Sequence, residues 1–277
     1  MTLATLSDVL QPALSQGYAV AGVVCLGWED MRAYVAAAEA EGLPIILQAG
    51  PGCRAHTPLP VLGAMFRHLA ERASIPVVAH LDHGHSIAEC RQAIDCGFTS
   101  VMYDGSRHPL ARNIDETAAV AALARASGVS CEGEIGFVGY AGAEASQGTD
   151  PDQAARFARE TGIDAMAVSV GNVHLQKGAG DLLDEARLAA IQALCPVPLV
   201  IHGGSGVPVA QRRHLARTTS VCKFNIGTEL RMAFGAALRQ AVLADPVRFD
   251  RNAILAETEA PLVAATRPVL RNLAGHD

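Results

Sequence analysis

The stretch VVAHLDHGHS, residues 77–86, decides how this chain is read. A short apolar run with strand character ends abruptly in His80, Asp82, His83 and His85. Buried strands are filled with Val, Ile and Leu, so titratable side chains crowded at one end ask for a purpose. The answer depends on what the rest of the chain places beside them.

Working outward, seven more apolar runs resemble the first: YAVAGVVC (18–25), PIILQ (44–48), FTSVMYD (98–104), VSCEGEI (129–135), IDAMAVSV (163–170), VPLVIH (197–202) and SVCKFNI (220–226). With IPVVAHLD (75–82) they make eight. Alanine-rich helical stretches separate them, as in EDMRAYVAAAEAEG (29–42) and DEARLAAIQAL (184–194), and several close on Gly or Pro as helix ends do. Strand–helix alternation implies a parallel sheet covered by helices. Eight repeats in one chain predict closure into a (β/α)8 TIM barrel rather than an open doubly wound sheet. An extra N-terminal helix is expected at about 5–16 and a C-terminal helical extension at about 246–272. With no linker or charge block, residues 1–277 read as a single barrel domain.

The 277 residues are half hydrophobic, enough for a large core, and carry a formal net charge of −6. That balance excludes a basic nucleic-acid-binding face. Seven cysteines without a CxxC pair read as reduced thiols of a cytoplasmic protein. The N-terminus lacks signal-peptide character and the longest apolar run is too short to span a bilayer, so neither membrane nor nucleic acid is an expected partner.

In a barrel the chemistry gathers where strands end at their carboxyl side. Asp82 and His83, Asp104, Glu132 and Glu134, His174, His202 and Asn225 all fall there. Three histidines from different strand ends suit one cation with an open coordination position, whereas a lone one reads first as a hydrogen-bonded core or surface residue. His80 reads as barrel filling and His85 as a loop residue. HGGSGVP (202–208) and KFNIGTEL (223–230) run from strand ends through small residues into helix starts, where backbone N–H groups meet anions. This corner of such barrels commonly takes phosphate.

Together HLDHG, GFTSVMYDGS, EGEIG, TDPDQAARFARETGIDAMAVSVGNVH, PLVIHGGSGVP and KFNIGTELRMAF resemble the class II, metal-dependent fructose-bisphosphate and tagatose-bisphosphate aldolases, in order from about residue 75 to 235. The resemblance implies Zn2+, one per subunit, on His83, His174 and His202, with Asp104 and Glu134 as a second metal position. It implies Asp82 as the acid serving the aldehyde oxygen. Gly203, Gly204, Ser205, Asn225, Ile226, Gly227 and Thr228 would hold dihydroxyacetone phosphate. The reaction implied is cleavage or formation of a phosphorylated ketose through an enediolate, in a homodimer or homotetramer acting on a small-molecule sugar phosphate. Within the same chemistry an isomerase or epimerase is the alternative; outside it, a catalytically weakened sugar-phosphate-binding protein.

The departures are local. Val24 and Gly27 stand where the family has asparagines, Gly50 where it has Ser or Thr, and Leu175 where it has glycine. Gly142 falls at the position of the proton-abstracting base, and Glu144 is the nearest carboxylate, either that base or a solvated loop residue. The changes concentrate on the acceptor half, so a non-standard aldehyde is expected.

Overall fold

The computed structural model describes residues 2–276. Its strands are β1 (Leu3–Ala4), β2 (Val20–Val24), β3 (Ile45–Ala49), β4 (Val77–Gly84), β5 (Ser100–Tyr103), β6 (Ser130–Ile135), β7 (Ala165–Val168), β8 (Leu199–Ile201) and β9 (Val221–Ile226). β2 through β9 pair in parallel, and the β4–β5 pairing closes them into a TIM barrel. The eight apolar runs of the sequence are these eight strands. β1 is too short to read from sequence; it lines the first residues of β4, pairing Leu3 with Val77 and Ala4 with Val78.

The helices follow in the expected alternation: α1 (Leu6–Gln16), α2 (Trp28–Glu41), α3 (Pro51–His56), α4 (Leu59–Arg72), α5 (Ile87–Asp95), α6 (Leu110–Ala126), α7 (Pro151–Thr161), α8 (Glu185–Leu194), α9 (Val209–Thr218), α10 (Thr228–Ala244), α11 (Arg251–Ala256) and α12 (Glu259–Ala274). α1 is the extra N-terminal helix, started by a capping box in which Thr5 and Asp8 satisfy each other's backbone N–H groups. α11 and α12 form the C-terminal extension, and α12 packs along α2.

Two apolar layers result. The larger lies between sheet and helices and includes Phe66, Phe98, Phe157 and Phe224. The smaller closes the amino-terminal end of the barrel, where Leu6, Val9, Leu10 and Ala13 of α1 meet Val20, Ile46, Val78, Ala165 and Val200. Because strand side chains alternate between faces, each inward row climbs from this floor to the mouth. On β4 the row is Val78, His80, Asp82; on β6 it is Ser130, Glu132, Glu134. The floor is apolar, the middle charged, and the mouth carries the candidate chemistry.

Gly22 of β2 is required by this packing. A Cβ there would lie 2.0 Å from Gln48 Oε1 and 2.9 Å from Asn225 Oδ1, and both neighbours hold Asp82. Gly22→Ala is therefore expected to lower stability by about 1–3 kcal/mol, the usual cost of overpacking. Urea unfolding checks it: an unchanged midpoint would mean that the barrel interior has slack the structure does not show.

Candidate active site

The first question at HLDH is geometric. Asp82 and His83 are neighbours in a strand, so the pleat should send them to opposite faces. They face the same way because β4 bulges there. Leu81 pairs with Val101 and Gly84 with Tyr103, so Asp82 and His83 together oppose Met102. His83 takes φ +51, the left-handed region, which is unusual for a residue with a side chain.

The bulge brings three imidazoles together. His83 Nε2 lies 3.0 Å from His202 Nδ1, and ring centroids of His83 and His174 are 5.3 Å apart. Nitrogen atoms of His83, His174 and His202 fall within 4.8 Å of one another, as do ligand atoms of His83, Asp104 and Glu134. Two ligands of a tetrahedral zinc, each bonded at about 2.0–2.1 Å, stand about 3.3 Å apart. The His83–His202 pair is set at nearly that edge.

The electrostatics ask for positive charge at this point. Burial opposes a charge on His83, but Asp82, Asp104 and Glu134 override it and raise its pKa to about 10. Burial, reinforced by the neighbouring His83, lowers His174 to about 3 and holds His202 well below the ordinary histidine value. Both therefore keep a lone pair. Burial, reinforced by Asp104, raises Glu134 to about 8, and its Oε2 is a sealed oxygen with no hydrogen-bond partner. A neutral imidazole pair, a third imidazole among carboxylates and an orphaned carboxylate oxygen fit a divalent cation.

Asp82 sits on the other side of His83. Its Oδ1 accepts hydrogen bonds from Gln48 Nε2 at 2.9 Å and Asn225 Nδ2 at 3.2 Å. Burial raises its pKa, but His83, His202 and Lys223 outweigh that and hold the carboxyl below its ordinary value. Its Oδ2 faces Gly50, where a Cβ would come within 3.2 Å.

These groups open on a cavity of about 240 Å³. Asp82, His83, His174, Gly203, Ser205, Asn225, Gly227 and Thr228 line it, joined by Val24, Gly50, Tyr140, Leu175 and Arg231. Where HGGSG meets NIGT, Ser205 Oγ accepts from the N–H groups of Gly227 (3.2 Å) and Glu229 (3.3 Å), at the start of α10. The positive end of the α10 dipole favours an anion there. Gly204 and Ile226 are different. Gly204 is buried beneath Asn225 and Ile226, and the Ile226 side chain belongs to the outer core.

Glu144 lies outside the cavity. It is exposed, and its carboxylate forms a two-pronged ion pair with Arg107, at 3.0 and 2.6 Å. Its loop is a small hairpin in which Phe137 pairs with Gln147. The same loop is bonded to the backbone of His174, through His174 N to Gly139 O and Ala141 N to His174 O, and Tyr140 stacks on the His174 ring. Sequence reading missed Tyr140, Arg231, Gln48 and Lys223. Arg231 carried a signal, since it lies one helical turn beyond Thr228.

Residues 4–276 match the family model described as fructose-bisphosphate aldolase class-II. The chain belongs to the class II fructose-bisphosphate aldolase family. It is an aldolase, 37% identical over 265 residues to a fructose-bisphosphate aldolase of Geobacillus stearothermophilus, covering 92% of this chain and 91% of that one. A 6-phospho-5-dehydro-2-deoxy-D-gluconate aldolase of Shouchella clausii is 36% identical over 276 residues, covering 96% and 92%. Among solved structures, the YdjI aldolase of Escherichia coli K12 superposes with a TM-score of 0.86 at 28% identity, covering 99% and 98%.

In this aldolase Leu175 takes φ +60 and is half exposed, so backbone strain is why glycine would suit this position better. A left-handed residue with a Cβ costs about 1–2 kcal/mol. Leu175→Gly is expected to keep or raise stability by up to about 1 kcal/mol, after the entropy of the freer unfolded chain. Leu175→Ala retains the strain and should gain nothing. Equal unfolding midpoints for the two variants would remove strain as the explanation.

Proposed function

We propose that this aldolase cleaves and forms a phosphorylated ketose by a zinc-dependent route, with dihydroxyacetone phosphate as donor and an acceptor aldehyde that itself bears an anionic group. The observation that carries the donor half is the convergence of the three imidazoles, Asp82 and the Ser205–Thr228 corner on one cavity. His83, His174 and His202 would hold the cation, with Asp104 and Glu134 beside His83 as a second position. When bound, it supplies Lewis-acid stabilisation of negative charge on the ketone oxygen. The partners proposed are the sugar phosphate and further copies of this chain, one barrel domain each, as a homodimer or homotetramer.

In cleavage, Asp82 takes the proton from the hydroxyl that becomes the aldehyde oxygen. The carbon–carbon bond then breaks with its electron pair left on the donor carbon. An ionised carboxyl, held below its ordinary pKa with Oδ2 toward the cavity, suits that step; in condensation it returns the proton. The donor carbon must next receive a proton, and Glu144 is proposed to bring it by exchanging Arg107 for the ligand as its loop folds inward. Glu132 does not suit this role, because it is fully buried between Lys223 and His202.

The acceptor half rests on Arg231. It lines the cavity beside Gly227 and Val24, no carboxylate lies within ion-pair distance of it among the described residues, and its Nε is buried without a partner. Val24 and Gly50 offer no polar side chain on that wall, so recognition there falls to one guanidinium. A carboxylate or phosphate at the far end of the aldehyde fits it. A relative named for a phosphorylated gluconate derivative supports an acid-bearing substrate.

Retro-aldol assays on ketose 1-phosphates with and without a terminal anion test this. Anionic substrates should be preferred, and Arg231→Met should erase the preference while neutral substrates stay unaffected. Asp82→Asn should keep its zinc and lose about 10²–10⁴ in turnover, and Glu144→Gln should lose a comparable factor. Cleavage of none of the set would sink the proposal. Wild-type turnover in Glu144→Gln would move the base elsewhere.

A further inference from the structure

Arg54 stands apart from every role assigned so far. It lies in α3, in the unremarked stretch PGCRAH, yet its side chain is only 7% exposed. Its Nη1 donates to the carbonyl oxygens of Ala49 at 2.5 Å and Asp82 at 2.6 Å, and its Nη2 donates to the carbonyl of His83 at 2.9 Å. Its Nε donates to Glu89 Oε1 at 2.8 Å, and Glu89 Oε2 accepts from the N–H of His85 at 2.9 Å. One planar cation therefore holds the end of β3, both carbonyls of the β4 bulge and, through Glu89, His85 just past the end of β4.

These are the two peptide units whose orientation sends Asp82 and His83 to the same face. The left-handed conformation of His83 costs of order 1–3 kcal/mol and persists only where its surroundings over-determine it. Hydrogen bonds to a charged donor are about twice as strong as neutral ones, and a guanidinium can aim several at once in one plane. An ammonium on a lysine stem reaches one or two of these oxygens but cannot reproduce the fork.

We propose that Arg54, oriented by Glu89, is a positioning residue that fixes the Asp82–His83 bulge and so sets both the carboxylate and the imidazole for their work. The inference rests on the metal and proton-transfer roles proposed above. Arg54 does not line the cavity: it acts through the backbone carbonyls it holds.

The test is zinc affinity, measured by competition with a chromophoric chelator, on wild type, Arg54→Met, Arg54→Lys, Glu89→Gln and His83→Ala. Arg54→Met is expected to weaken zinc binding and lower kcat by about 10–100-fold, the usual effect of losing a group that orients a ligand. Its KM for the ketose phosphate should stay within a few-fold of wild type, and its far-UV circular dichroism should be unchanged. Arg54→Lys should recover part of the loss, and Glu89→Gln should lose less than Arg54→Met in the same direction. Folded Arg54→Met and Glu89→Gln proteins that hold zinc within twofold of wild type would overturn the proposal. Should Arg54→Met not fold, Arg54→Lys and Glu89→Gln decide by the same criterion. His83→Ala separates the two levels: if it too binds zinc normally, the ligand assignment fails, whereas its loss beside a normal Arg54 series removes only the positioning role.

Discussion

A lysine ammonium sealed inside the barrel is the constraint on which the site depends. Lys223 and Glu132 are both fully buried, with Nζ 2.6 Å from Oε2. Taking either charge out of water costs several kcal/mol, so each needs the other, and removing one partner of such a pair costs about 3–5 kcal/mol. Glu132 spends its second oxygen on His202 Nε2, at 3.0 Å. The hydrogen there must sit on Nε2, which leaves the Nδ1 lone pair turned toward His83. Lys223 also lies 3.4 Å from His80, which burial and that ammonium keep neutral, and the far nitrogen of His80 meets Ser100. A continuous polar column thus runs from above the apolar floor to the mouth, and fixes one imidazole's tautomer from below.

The second constraint works from the side. Gln48 and Asn225 fasten one oxygen of Asp82, Asp104 fastens His83 through Nδ1 at 2.8 Å, and the loop of Tyr140 is tied to the backbone at His174. Burial works against the charge on Asp104, but His83 and Ser106 hold its carboxyl well below the ordinary range. Each imidazole or carboxylate at the mouth is therefore oriented by a partner one layer out. That is what a site needs if its groups are to act without reorganising.

The barrel was legible because eight apolar runs with glycine-punctuated helices between them admit few other arrangements. The imidazole triad was legible because strand ends are where such side chains become accessible. The bulge was not. Period-two patterning places Asp82 inward and His83 outward, and no sequence pattern announces a left-handed histidine. Arg54, Gln48 and Lys223 were equally silent, since each acts across 28 to 91 positions of chain. Motif letters also do not show packing: a Cβ on Gly204 would meet Asn225 and Ile226, and the Ile226 side chain belongs to the outer core. The departures at Val24, Gly27 and Gly50 were visible, but the place of Arg231 in the cavity beside Gly227 required the fold.

The proposed donor half of the reaction calls only on groups this chain carries, whatever the aldehyde. Solvent deuterium exchange into dihydroxyacetone phosphate, with no aldehyde present, isolates proton transfer at the donor carbon. The proposed donor chemistry requires exchange by the zinc-loaded protein, its loss on chelation and its return when zinc is restored. Zinc-loaded protein that binds the ketone phosphate yet exchanges no deuterium would contradict it.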